Sequence, residues 1–194
     1  AYLEAFHGRA EKTLELAAKT ARHAEEQGLP YYTAVATLTR GWALAMQNQE
    51  EGIELIRQGL AASLAIGTRQ QHGYFLALLA EALNRAGRVE EGLEALREAI
   101  EVAKQTNEPY YEAELYRLRG DALVDAGVGS PAEAESCFQH AIEIARQQQA
   151  KSFELRAAMS LARLWRQQGK REEGRAILAD VYGWFTEGFE TADL

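Results

Sequence analysis

The sequence predicts an all-α protein, an α-solenoid in which antiparallel helix pairs stack on one another. Ala, Leu, Glu, Gln and Arg, which lose little on entering a helix, dominate the 194 residues, and only three prolines occur. A short triplet also recurs along the chain, and apolar residues repeat at helical spacing between the triplets. The triplets are EEG at 50–52, EEG at 90–92, AEA at 132–134 and EEG at 172–174, with last residues 40, 42 and 40 apart. Such a fixed period indicates a repeat protein.

Turns and aromatic residues mark the ends of the helices. A turn signal precedes each triplet, at 47–49, 86–88, 126–131 and 168–170. Aromatic residues open the intervening stretches, twice after a proline, which the first helical turn tolerates. The predicted helices are 9–27, 31–47, 50–66, 72–86, 89–106, 109–126, 131–148, 151–168 and 171–185.

The helices form about four repeats after a leading half-repeat. Short loops place consecutive helices antiparallel, and equal repeats stack with one concave face lined by the first helices. A half-repeat at a natural terminus would leave an apolar face uncovered, so we expect a piece of a longer protein. The repeats, predicted to form one domain over 1–194, are 1–28 (partial), 29–68, 71–106, 109–149 and 150–189.

Charge and cysteine content limit the possible partners and location. The formal net charge is −8 and the isoelectric point is near 5.1, which disfavours nucleic acid. Cys137 is the only cysteine, and the chain does not open on a secretory signal, so we predict a cytoplasmic protein. No apolar run approaches the roughly 20 residues that span a bilayer, so we expect no membrane partner.

The third full repeat carries a recognisable pattern of large and small residues. Its first helix holds Tyr116, Gly120 and Leu123, and its second holds Ala134 and Phe138. This pattern resembles the tetratricopeptide repeat, and the resemblance implies a right-handed superhelix. The period near 40 exceeds the usual 34 and matches armadillo and HEAT repeats instead. The triplets and the small residues at predicted helix contacts favour the tetratricopeptide class.

A narrower resemblance covers nearly the whole chain. The segments at 41–45, 74–81, 156–165 and 183–189 are similar to the C-terminal repeat region of large bacterial signalling proteins. In those proteins a nucleotide cyclase or kinase module precedes an ATPase module and then the repeats. The resemblance implies a regulatory role inside a multidomain protein, with any catalytic activity upstream of Ala1.

The candidate motifs for catalysis and cofactor binding each lack a required feature. The segment 127–132 spells a dinucleotide fingerprint, but a helix precedes it instead of a strand. We interpret it as a turn in which Ser130 caps the next helix and Pro131 is its first residue. The four histidines are scattered, and Cys137 fits a small buried residue. We therefore predict no enzyme, no cofactor and no metal site.

The predicted binding surface is the concave face of the first helices. A partner protein or peptide would bind there through paired hydrogen bonds from arginine side chains and through contact with the Trp42 ring. Alternatively, Asp121 and Asp125 pair with arginines of the adjacent repeat as a solvated lining. The candidate residues are Trp42, Glu81, Arg85, Arg117, Asp121, Asp125, Arg156, Arg163 and Arg166.

Three hypotheses for function remain open. The first is a protein-interaction scaffold that regulates its own parent protein, and the second is a small-molecule sensor. The third is a homodimerisation module, in which Trp184, Phe185 and Phe189 cap the last repeat or pair two molecules. A scaffold predicts an open channel, a sensor an enclosed pocket, and a dimeriser a large apolar contact.

Overall fold

The computed structural model describes residues 1–69, 71–106, 109–127 and 129–187. In that part of the chain ten α-helices and one 3-10 helix, Pro109–Tyr111, occur, and no strand. The α-helices are α1 Tyr2–Phe6, α2 Ala10–Glu26, α3 Pro30–Met46, α4 Glu51–Ala65, α5 His72–Arg85, α6 Val89–Thr106, α7 Glu112–Asp125, α8 Pro131–Gln147, α9 Lys151–Gln167 and α10 Arg171–Tyr182. The predicted all-α class is confirmed.

Most helix boundaries agree with the sequence prediction, and two differ for physical reasons. The helix predicted from 109 begins as the 3-10 turn, and α7 starts at Glu112. Such tight turns are frequent at helix N-termini. The last predicted helix was expected to reach 185 but ends at Tyr182, where Gly183, a poor helix former, is the C-cap. The sequence map also lacked the short helix α1.

The chain divides into two compact units, Ala1–Val102 and Ala103–Leu194. The boundary falls near the end of α6. The single domain predicted over 1–194 stays a prediction. In unit 1, α2 packs on α3, α3 on α4, and α5 on both α3 and α4. In unit 2, α7 packs on α8, α9 on both of these, and α10 on α9.

Small residues allow a close approach of α3 and α4 in unit 1. A Cβ on Gly41 of α3 would lie 2.6 Å from the carbonyl oxygen of Gly52 and 2.7 Å from the backbone nitrogen of Ile56 in α4. A glycine is therefore required for the two backbones to touch. Ile56 lies fully buried beside this crossing. The helix pair is thus held by apolar burial around a point of backbone contact.

The core of unit 2 is built around Phe138. This ring is 1% exposed and lies against Gly120, where a Cβ would collide with it. Leu155, Leu161 and Val181 belong to the same cluster. Gly120 and Phe138, both part of the predicted repeat pattern, are thus in direct contact across α7 and α8.

The turn before α8 confirms the capping interpretation. The Ser130 hydroxyl accepts a 3.2 Å hydrogen bond from the Glu133 backbone N–H, and the Ser130 backbone N–H donates a 2.7 Å bond to the Glu133 carboxylate. Pro131 is the first helical residue. This reciprocal pair is a capping box, which satisfies two N–H groups that the helix leaves unpaired. The segment that spells a nucleotide fingerprint therefore serves as a helix start.

Within the described ranges no helix combines the length and apolarity required to cross a bilayer.

Candidate functional site

Trp42 is buried in unit 1. Its exposed fraction is 2%, and its indole Nε1 donates a 3.0 Å hydrogen bond to Glu81 Oε2 of α5. Arg85, one turn after Glu81, donates a 3.1 Å bond to the Asn48 side-chain oxygen. Trp42 therefore links successive helix pairs and offers no exposed aromatic platform, because α5 covers it. The predicted contact of Trp42 with a partner is therefore corrected: its side chain supports the packing of α3 against α5.

A charged cluster lies on the facing sides of α7 and α9 in unit 2. Arg117 donates two 2.8 Å hydrogen bonds to the Glu114 carboxylate and also forms an ion pair with Asp121. Arg156 of α9 lies 3.5 Å from the Glu114 carboxylate. The Glu114 side chain is 4% exposed, so this carboxylate is screened from water by the two guanidinium groups. Two cations and two acids are brought together here.

The pairing differs in part from the solvated lining predicted as the alternative. Asp121 pairs with Arg117 of its own helix, whereas Arg156 of the next repeat pairs with Glu114, which was not among the predicted binding residues. Burial raises the pKa of the Asp121 carboxyl, against the opposing effects of the Arg117 guanidinium and the Ser160 hydroxyl. Asp125 is exposed at the end of α7.

Arg163 and Arg166 line a pocket between α9 and α10. The pocket has a volume of 430 Å³, and Arg171 and Arg175 of α10 add two more guanidinium groups to its lining. Met159 and Leu178 supply apolar surface. All four arginines are exposed, and Arg175 forms a long 3.8 Å ion pair with Glu172. Among the described residues no acid pairs with Arg163, Arg166 or Arg171.

The terminal aromatics differ from one another. Trp184 is 60% exposed, and its ring lies 5.3 Å from that of Phe185 and 6.0 Å from the Lys151 ammonium. Phe185 is half-buried and packs on the core of unit 2, as expected of a cap on the last helix. Phe189 lies outside the described residues.

Groups suited to catalysis or metal binding are buried or dispersed. Burial raises the pKa of the Cys137 thiol, which keeps it protonated and weakly nucleophilic at neutral pH. In the described ranges no three His, Cys, Asp or Glu side chains are arranged to hold a metal ion. The site is therefore a surface of guanidinium and carboxylate groups.

Two buried acids, Glu114 and Glu154, were not predicted from the sequence. The Glu154 residue is 1% exposed, and its carboxylate accepts 2.7 Å hydrogen bonds from Arg146 and Lys151. The only signal for Glu114 was its spacing of three residues from Arg117, which many exposed helices share. Burial of either acid depends on the neighbouring helix and is not encoded in its own segment.

Comparisons with known proteins agree with this architecture. Residues 74–147 match the family model described as Tetratricopeptide repeat. The kinesin light chain nearly identical TPR-like repeats of Podosopora anserina align at 19% identity and a TM-score of 0.61, over 94% of this chain and 90% of that one. A variant of the same repeats gives a TM-score of 0.63 at 19% identity, over 94% and 89%. At this identity the likeness concerns the fold alone.

A sequence relative is an uncharacterized protein of Rhizobium meliloti (strain 1021). It is 29% identical over 155 residues, which are 79% of this chain. The chain spans only 15% of the length of that relative.

Helix pairs with small residues at the crossings define an α-solenoid, and residues 74–147 of it match the tetratricopeptide repeat. The predicted resemblance is thereby confirmed. Proteins of this class are typically non-catalytic scaffolds that bind other proteins or peptides.

Proposed function

We propose that this chain is the regulatory interaction region of a larger bacterial signalling protein and that it binds a partner segment on the face of its first helices. The observation that carries the proposal is the row of arginines in unit 2. Arg117 and Arg156 are held in ion pairs, whereas Arg163 and Arg166 on α9 project into an open pocket. Guanidinium groups bind carboxylates with two parallel hydrogen bonds.

The paired arginines support the exposed ones. Glu114 fixes Arg117 and approaches Arg156, so the neighbouring turns of α7 and α9 are cross-linked by charge. Arg163 lies two turns after Arg156 on the same rigid helix. A binding group on a rigid helix loses less entropy on contact with a partner than one on a mobile loop.

A place within a larger protein is supported by the relative from Rhizobium meliloti, which is much longer than the region it shares with this chain. Its printed name assigns no activity. The bacterial signalling context, the cytoplasmic location and the concave binding face remain our proposals.

Site-specific photo-cross-linking in bacterial cells tests the proposed face. A photoreactive amino acid replaces Asp125 or Arg163 on the first helices, and Gln139 or Glu143 on the exposed side of α8 provides the matched control. We expect adducts with other proteins, or with other parts of the parent protein, mainly from the first-helix positions. Equal adducts from both faces, or none from either, would contradict the proposal.

Homodimerisation is a second candidate, favoured by the 60% exposure of Trp184. A large apolar side chain at an exposed end provides an anchor for a second copy. Sedimentation equilibrium on the wild type and on Trp184→Glu tests this candidate. A wild-type dimer that becomes a folded monomer in the variant supports it, and a monomer in both excludes it for this chain.

A further inference from the structure

We propose that the pocket between α9 and α10 binds an acidic, amphipathic helical segment of a partner protein, whose carboxylates pair with Arg163 and Arg175 while an apolar side chain enters between them. This inference rests on the proposed interaction function and names the partner class for one part of its surface.

The first argument comes from the equivalent face in unit 1. The small residues at the helix crossings align the two helix pairs, with Gly41 equivalent to Ala162 and Gly52 to Gly174. In this alignment Arg163 takes the position of Trp42, and Arg175 takes that of Ile53. Trp42 and Ile53 are 2% and 3% exposed, and α5 packs across both helices of their pair. A helix pair of this kind therefore presents a face shaped to receive another helix.

In unit 2, no helix of the described residues packs on that face of α9 and α10. Met159 and Leu178, which correspond to the fully buried Leu38 and Ile56, remain half-buried. Their apolar surface lines a pocket of 430 Å³, within the range of about 300 to 1,000 Å³ typical of binding sites. The pocket has room for side chains from one turn of a helix.

The charges on the packed helix faces of unit 2 indicate which charge the occupant of the pocket carries. On the preceding pair of unit 2, α7 and α8, the acids Glu114 and Glu135 receive Arg156 at 3.5 Å and Lys170 at 3.5 Å. Both cations belong to the next helix pair, so an acidic face receives a basic one.

On α9 and α10 the signs are reversed at equivalent positions. Arg175 stands where α8 has Glu135, the acid that receives Lys170. Arg163 stands where α7 has Asp121, which pairs with Arg117 of its own helix. The charge at the receiving position of Glu135 is thus reversed, and two exposed guanidinium groups favour an acidic occupant. A basic helix, or a nucleic acid read by its bases, does not combine the required carboxylates with an apolar side chain.

A binding measurement with a defined probe tests this inference. The probe is a fluorescein-labelled helical peptide of about 15 residues, Ala-rich, with Glu residues flanking Leu. Its counterpart carries Lys in place of every Glu. Fluorescence anisotropy with the full 194-residue chain should detect binding of the acidic peptide alone, with affinity that falls as salt increases.

Charge-reversing variants locate the contact. Arg163→Glu with Arg175→Glu should weaken binding of the acidic peptide at least about tenfold, since two charge-assisted contacts become repulsions. Arg163→Gln with Arg175→Gln should weaken it in the same direction if the reversed pair fails to fold. The control, Arg22→Glu with Arg119→Glu, makes the same change of net charge at exposed positions elsewhere and should leave the affinity unchanged.

Three results would overturn the inference: no binding of the acidic peptide, equal weakening by the control pair, or displacement of the peptide by micromolar inorganic phosphate, which indicates a small-anion site. The proposed function is tested separately by the photo-cross-linking experiment. Cross-links confined to the first helices together with no peptide binding would reject only the acidic partner, whereas loss of both would reject the interaction function as well.

Discussion

The indole Nε1 of Trp42 donates a 3.0 Å hydrogen bond to Glu81 Oε2, joining α3 to α5. The bond lies between the first helices of successive pairs in unit 1, and Trp42 is 2% exposed. A residue that the sequence placed on a binding face is thus a support inside that unit.

Replacement of Trp42 by Phe should reduce the free energy of unfolding by about 1 to 3 kcal/mol, because Glu81 loses its donor and the smaller ring leaves a gap. Urea denaturation followed by circular dichroism measures the change. Trp165→Phe is the matched control, since the buried Trp165 N–H has no hydrogen-bond partner among the described residues. Equal losses in the two variants would contradict a role for the Trp42 hydrogen bond.

Gly41→Ala should destabilise the protein by about 1 to 3 kcal/mol, since the new Cβ would lie 2.6 Å from the Gly52 carbonyl oxygen. Gly174→Ala makes the same change at the equivalent crossing of α9 and α10. There the nearest atoms belong to Ala162 at 3.4 Å, so the higher helix propensity of alanine should stabilise by about 0.5 to 1 kcal/mol. Thermal unfolding of both variants should move in opposite directions, and a shared direction would refute the packing account.

The positions of these small residues were predictable from the sequence, whereas their partners were predictable only in part. The triplets fixed the period, the turns and the start of α8 at Ser130, because capping and turn signals act within a few residues. Burial of Trp42 and Glu114 depends on α5 and on α9, which lie far along the chain. The helix pattern around each residue is the same for an exposed and for a covered face.

Glu114→Gln should cost about 3 kcal/mol, because it leaves Arg117 and Arg156 near each other without their shared carboxylate. Chemical denaturation measures the loss. Glu112→Gln, in the same turn of α7 but partly exposed, should change the free energy of unfolding by less than about 0.5 kcal/mol. A similar small effect at Glu114 would show that the cluster contributes little to the fold.

The pH dependence of stability should carry a contribution from Glu154. Burial alone would raise the pKa of this carboxyl, but Lys151 and Arg146 outweigh burial and lower the pKa below its ordinary value. A lowered pKa in the folded state stabilises the protein above the unfolded pKa of about 4.3, and this contribution is lost as the pH falls through the folded pKa.

Glu154→Gln should therefore reduce stability at pH 7 and flatten the fall in stability below about pH 4.5. Urea denaturation at a series of pH values, with the exposed Glu173→Gln as control, measures this difference. A fall as steep as that of the wild type would show that the titration of other groups dominates.

Binding at the arginine-lined face is tested most directly by NMR chemical-shift mapping of the ¹⁵N-labelled chain during titration with the acidic probe peptide. We predict progressive shifts confined to the facing sides of α9 and α10, between Met159 and Leu178, with few changes in unit 1. Shifts centred on unit 1 or on the exposed side of α8, or no shifts at saturating peptide, would contradict the claim that the arginine-lined face receives a protein segment.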